Sequence, residues 1–156
     1  MSTESPTYTD RVPDDVLALE NQVCFGLAVA ARSVIALYRP VLEPLSLTHP
    51  QYLVMLALWE QEPRSVKNLS DTLALEPATL SPLLKRLEAT GYVHRQRSAA
   101  DERALEVTLT EAGRGLRAEA EKIPPRIVEQ LGLPVSELTG LRESLHAIIG
   151  AAVRAG

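Results

Sequence analysis

Between Val23 and Leu37 only Arg32 and Ser33 are clearly polar, and no proline interrupts the chain between Val16 and Pro40. That stretch predicts a long helix over Val16–Val41, with Cys24, Ala28, Ala31, Ile35 and Tyr38 on one side and Phe25, Leu27, Val34 and Leu37 on others. A helix that is apolar nearly all round must be buried nearly all round. A chain of 156 residues can hardly supply that cover from its own elements, so a second subunit is the natural cover and a homodimer is expected.

Length allows one sizeable core and not two full domains. The organisation expected is a single unit over 1–156, with a polar tail at 1–13, scaffold and dimerisation helices mainly in 14–62 and 111–154, and a distinct part at 63–110. Pro13, Asp14 and Asp15 suit a helix beginning, where the missing donors and the positive end of the dipole favour them. No signal-peptide pattern is visible and no apolar run counts as membrane-spanning, so a cytoplasmic protein with no membrane partner is expected. A single cysteine excludes an intramolecular disulfide, and no metal-ligand spacing or cofactor motif occurs.

Pro50 opens a helix through Trp59 whose apolar side is Tyr52, Leu53, Leu56 and Trp59. Val66, Leu69 and Leu73 mark a short amphipathic helix. A turn at Ala74 and Leu75 leads to a second helix from Pro77, with Leu80, Leu83, Leu84 and Leu87 buried and Gly91 as its left-handed stop. The hydrophobic period then changes to two: strands around Val93–Arg95 and Leu105–Leu109 flank the charged loop QRSAADER. Two strands directly after a helix-turn-helix predict a winged helix. Thr110 is the expected cap of a helix carrying Leu116, Ala120 and Ile123, which Pro124 and Pro125 should kink or break. Ser136 is the expected cap of a last helix with Leu138, Leu141, Leu145, Ile148 and Ile149 inward. The fold class is therefore mainly α with a small β-hairpin wing, flanked by helices at both ends.

The net charge of −4 hides an uneven distribution. From Arg64 to Arg97 six basic residues face three acidic ones, a basic segment in an acidic body. A helix-turn-helix projects its second helix into the major groove of duplex DNA. Here the outward positions are Ala78, Thr79, Ser81, Pro82, Lys85 and Arg86: hydroxyls for base edges or phosphates, cations for phosphates, and small apolar groups for thymine methyls. The wing adds Arg95, Arg97 and Arg103, with Asp101 placed to orient Arg97 or Arg103, and arginines at a hairpin tip suit a narrow minor groove. Pro82 lies beyond the first turn and predicts a local distortion. The alternative is a winged helix used for protein contacts, its cations merely solvated.

These residues carry a resemblance. The winged helix between long helices, ending in DERALEVTLTEAG, resembles the MarR family of dimeric bacterial transcription regulators. Within it, LENQVCFGL, YRPVL, LTHPQYLVMLALWE and TLSPLLKRLEATGYVHRQRSAADER are similar to the one-cysteine organic hydroperoxide resistance regulators, densely over Leu19–Gly115 and loosely beyond.

On the residues alone, Cys24 is either an inert small hydrophobe or a reactive thiol. The resemblance implies the second: Cys24 as a peroxide sensor oxidised to a sulfenic acid, Tyr38 as the tyrosine bonded to its sulfur, and release from a palindromic operator as the outcome. Fourteen helical residues span ~21 Å, so Tyr38 can meet Cys24 only across a dimer or through a broken helix. Some relatives carry further tyrosines where this chain has Ala28 and His49. His49 is either a plain helix-entry residue or a group that tunes the thiol. Phe25, Leu27, Ala28, Tyr52 and Met55 make the expected sensor pocket, apolar enough for an organic hydroperoxide. With no resolving cysteine, the sulfenic acid would be capped by a small thiol, condense to a sulfenamide or oxidise further. The rival readings are a MarR-type repressor responding to a small aromatic ligand and, in a different class, a thiol peroxidase.

Overall fold

The computed structural model describes residues 16–156, so the expected tail and the helix start at Pro13, Asp14 and Asp15 lie outside the described residues. The chain divides into two compact units, one ending at Leu37 and one spanning Tyr38–Gly156.

In the first unit a 3-10 turn at Leu19–Asn21 precedes α1 (Val23–Leu42). The helix starts later than Val16 because Gln22 is extended (φ −89°, ψ 119°). The Gln22 side-chain amide instead donates to the carbonyls of Val16 (2.7 Å) and Ala18 (3.2 Å), a local bonding pattern that competes with helix. Val23, Phe25, Val29 and Ile35 are exposed in the single chain, and only Val41 and Leu42 of α1 are buried. The Val23–Leu45 segment is, by length and composition alone, apolar enough to cross a membrane, which corrects the expectation that no run is. Arg32 and Ser33 break a continuous run but barely change an average over the segment, and a soluble helix covered by protein has the same character.

The second unit begins with the last turns of α1 and a 3-10 turn at Glu43–Leu45, closed by Ser46 in the left-handed region. Thr48 and Gln51 then form a reciprocal capping box that starts α2 (His49–Glu60), with Pro50 in its first turn. Tyr52, Val54, Met55, Ala57 and Leu58 are buried, whereas Leu56 is 40% exposed. The expected apolar side of α2 was thus only partly right: the helix is apolar on every side, so its period cannot choose an inward face.

A two-residue strand β1 (Arg64–Ser65), not expected from the sequence, leads into α3 (Val66–Leu73), capped by the Ser65 hydroxyl. Ala74 takes the left-handed conformation (φ 52°) and turns the chain into α4 (Pro77–Thr90). Leu80, Leu84 and Leu87 are fully buried, with Leu83 half-buried. α4 runs through Pro82 without a break, so the expected distortion is not a discontinuity. Gly91 (φ 90°) ends it. Strands β2 (Val93–Arg97) and β3 (Leu105–Leu109) pair antiparallel, Arg95 opposite Val107, and β1 adds to the far side of β3, in the order β1-β3-β2. Val93 and Val107 face the core while Leu105 stays exposed.

Thr110 caps α5 (Glu111–Gly115) as expected, accepting from the Gly113 amide. The following chain is broken into α6 (Arg117–Ala120) and α7 (Ile123–Leu131), with Pro124 and Pro125 in the first turn of α7, where their missing donors cost nothing. α8 (Val135–Ala155) starts one residue before Ser136, with Pro134 at its cap position and no side-chain cap, so Ser136 is not the cap. None of the expected inward residues of α8 is buried; Leu141, Ile148 and Ile149 are exposed.

Candidate functional site

Tyr38, at the C-terminal part of α1, His49, the first residue of α2, and Tyr52, one turn on, pack as an aromatic trio. Tyr38 and His49 meet edge-on at 4.9 Å between ring centroids, Tyr38 and Tyr52 at 5.8 Å, and His49 and Tyr52 at 6.3 Å. The capping box at Thr48 fixes where α2 begins and hence where the imidazole sits. Burial pushes both phenols above their usual range, for Tyr52 with an added contribution from Tyr38, and pushes the imidazole below its own. At neutral pH the trio therefore offers two phenol donors and a neutral imidazole that can accept a proton. Met55, expected to line a pocket here, is fully buried in the core.

Cys24 is a free, exposed thiol in the first turn of α1, next to exposed Phe25 and half-buried Leu27. Ala28 is exposed as well. α1 is continuous from Val23 to Leu42, so Cys24 and Tyr38 are separated by fourteen residues of helix, ~21 Å of rise.

The second candidate surface is the winged helix. Ala78, Thr79, Ser81, Pro82, Lys85 and Arg86 are all exposed on α4, opposite its buried leucines. In the wing, Arg97 donates to the Glu102 carbonyl (3.1 Å), and Asp101 accepts from the backbone amide of Arg103 (3.0 Å). Asp101 thus shapes the tip through the backbone and orients neither guanidinium. Arg95 is committed elsewhere: its Nε donates to Glu88 at 3.1 Å, and that bond holds the Glu88 carboxyl below the usual carboxylate range.

Several positioning residues escaped the sequence reading. Arg64, counted there among the basic residues, is buried. Its Nε donates to the carbonyls of Ala57 (2.8 Å) and Gln61 (3.1 Å), and its Nη1 to Asn68 Oδ1 (2.8 Å), joining the end of α2 to α3. Glu62 accepts from the Leu109 amide (2.9 Å) and pairs with Arg114 (2.6 Å), joining the same region to β3 and α5. The Trp59 indole donates to the Gly113 carbonyl (2.9 Å) and the Tyr92 hydroxyl to the Leu45 carbonyl (2.7 Å). No local pattern signals most of these bonds, because all but the Arg64–Asn68 contact join a partner that is remote in the chain or is a main-chain atom.

Among known proteins, the family model described as transcriptional regulator SarA/Rot matches residues 36–119. The HTH-type transcriptional regulator TtmR of Methylorubrum extorquens is 42% identical over 144 residues, 88% of this chain and 74% of its own. The organic hydroperoxide resistance transcriptional regulator of Bacillus subtilis is 39% identical over 135 residues, 86% of this chain and 92% of its own. AbfR of Staphylococcus epidermidis is 33% identical and superposes with a TM-score of 0.74, covering 89% of this chain and 96% of that one. A structure of overoxidised AbfR bound to DNA matches with a TM-score of 0.71 at the same identity, over 88% and 96% of the two chains.

Proposed function

This chain belongs to the MarR/SarA-type transcription regulators, which are not enzymes, and from that premise we propose that it is a peroxide-sensing repressor. As a homodimer it binds a palindromic operator, and oxidation of Cys24 by an organic hydroperoxide releases it. The observation that carries this reading is the Tyr38–His49–Tyr52 trio: two phenols and a neutral imidazole converge near one end of α1, and the only cysteine of the chain lies near the other. A helix that long keeps Cys24 from its own Tyr38, so a second copy supplies the trio to each thiol. The apolar residues that α1 and α8 expose in one chain are the surface such a copy covers. A relative named for organic hydroperoxide resistance, and a DNA-bound structure of an overoxidised relative, support the same assignment.

In the reaction the Cys24 thiolate attacks the distal peroxide oxygen. The S–O bond forms as the O–O bond breaks, the alcohol leaves with a proton, and sulfur is oxidised by two electrons to the sulfenic acid. His49 accepts the thiol proton, and Tyr38 donates to the sulfur. Phe25, Leu27 and Ala28 supply the apolar surround that suits an organic peroxide. Tyr52 and Met55, being buried, back that surround without lining it. A small cytoplasmic thiol is the natural capping partner, since the chain has no second cysteine.

At the operator, Thr79 and Ser81 reach base edges or phosphates, Lys85 and Arg86 neutralise phosphates, and Arg97 and Arg103 carry the wing into the minor groove. Arg95 contributes by holding the wing base through Glu88. The test is operator binding by wild-type and Cys24→Ser protein with and without cumene hydroperoxide. The variant is expected to bind normally and to ignore the peroxide; release of the variant by peroxide would refute the sensor role.

A further inference from the structure

A side-chain bond connects the bend beside the aromatic trio to Tyr92, just past the end of the recognition helix. The 3-10 turn Glu43–Leu45 is the stretch of chain that joins α1, which carries Tyr38, to α2, which begins at His49, and those two rings pack together at 4.9 Å. Its last carbonyl, of Leu45, accepts from the Tyr92 hydroxyl at 2.7 Å. Tyr92 has little freedom of its own. Its amide bonds back to the Leu87 carbonyl (3.0 Å) at the end of α4, its carbonyl accepts from the Thr110 amide (3.0 Å), and Gly113 packs so closely on that carbonyl that only a glycine fits. A rigid residue at the junction of α4, β2 and α5 therefore grips the turn beside the candidate sensor through one atom.

We infer that the Tyr92–Leu45 hydrogen bond is the link through which the state of the sensor pocket reaches the DNA-reading helix, and that Tyr92 is a positioning residue for operator binding. The inference rests on the peroxide-sensing reading above. In the reduced protein the pocket holds the Glu43–Leu45 turn where Tyr92 can reach it, which restrains α4 and the wing in the orientation that fits the operator. Oxygen added to the sulfur displaces the phenol and imidazole that face it, the turn moves, and the bond cannot form. Coupling of this kind travels through packed groups that have two discrete arrangements, and here the two arrangements are bond made and bond absent.

The experiment is a cycle of Tyr92→Phe against oxidation, with operator fragments selected from random duplexes by the reduced wild-type protein. Dissociation constants are measured for both proteins, reduced and cumene hydroperoxide-treated, at one salt concentration. Phenylalanine keeps the ring and removes only the hydroxyl. A neutral hydrogen bond shifts an equilibrium by roughly three- to tenfold. The reduced variant is expected to bind that much more weakly and the oxidised variant to match the oxidised wild type, so the oxidation ratio shrinks by the same factor. A merely structural role would weaken both states alike and leave the ratio unchanged, which would overturn the inference. A wild type indifferent to peroxide would instead refute the sensor reading itself. Independently of the variant, amide hydrogen exchange in the wild type is expected to speed up on oxidation at Ser46–Leu47 and at Gly91–Tyr92. Unchanged exchange at both segments in a peroxide-responsive protein would also overturn the inference.

Discussion

Two glycines two positions apart in α5, Gly113 and Gly115, should respond oppositely to alanine. A Cβ on Gly113 would lie 2.1 Å from the Tyr92 carbonyl oxygen, 3.1 Å from its carbonyl carbon and 3.3 Å from Leu109 Cδ2. An ordinary C···O approach is about 3.3 Å, so α5 and the start of β2 must part by roughly 1 Å. The atoms that must move are backbone, held by the Thr110 amide on the same carbonyl and by the Trp59 indole on the Gly113 carbonyl. Overpacking against rigid neighbours costs about 1–3 kcal/mol, and weakening one of those bonds adds ~1 kcal/mol. Gly113→Ala is therefore expected to destabilise the protein by about 3 kcal/mol, lowering Tm by roughly 6–12 °C for a chain of this size. Nothing lies within 4 Å of a Cβ on Gly115. Alanine there limits the unfolded chain and favours helix, so Gly115→Ala is expected to be neutral or to stabilise by up to ~1 kcal/mol. Thermal and urea unfolding followed by circular dichroism, at equal protein concentration, measures both. A Gly113→Ala protein within 1 kcal/mol of wild type would refute the close packing of α5 on Tyr92.

Two further outcomes follow from the site geometry. Burial lowers the His49 pKa in the folded protein, so the unfolded chain takes up that proton first as pH falls; the stability due to neutral His49 is present above the ordinary histidine range and declines as pH drops below about 6.5. The urea midpoint of His49→Gln is expected to fall less than that of wild type between pH 7.5 and 5.5, and parallel pH profiles would contradict the packing of His49 on Tyr38 and Tyr52. Lys85→Ala removes an exposed cation from α4. Its operator affinity should fall uniformly across sequences and the salt-dependence slope should shrink by about one, whereas an unchanged slope would take Lys85 away from the phosphates.

The helix-turn-helix and wing were legible because their signals are local. Leu80, Leu84 and Leu87 fall one helical turn apart, Gly91 supplies the left-handed stop, and Val107 and Leu109 alternate with polar residues; the structure buries all five of these side chains. Thr110 worked as a cap for the same reason, the amide that donates to it being three residues away. Inward faces were harder. On α2 apolar residues occupy every side, and in α8 the expected core positions remain uncovered in one chain. Periodicity shows that a face is apolar and says nothing of what covers it.

The sequence by itself determined the helices and the two strands of the wing, though not β1 or where α1 starts, together with which face of α4 is polar and where the only thiol stands. Only the tertiary structure decided which charges are available and which atoms join the parts. Arg64 and Arg95 read as basic surface, yet one is buried on main-chain carbonyls and the other is paired with Glu88. Tyr92 reaches back 47 residues to Leu45, and Trp59 reaches forward 54 to Gly113. A side chain's local pattern records its preference for helix, strand or water. Its hydrogen-bond partner depends on where distant backbone arrives, and that is settled only when the core of leucines from α3 and α4, Val107 of β3 and the buried side of α2 closes.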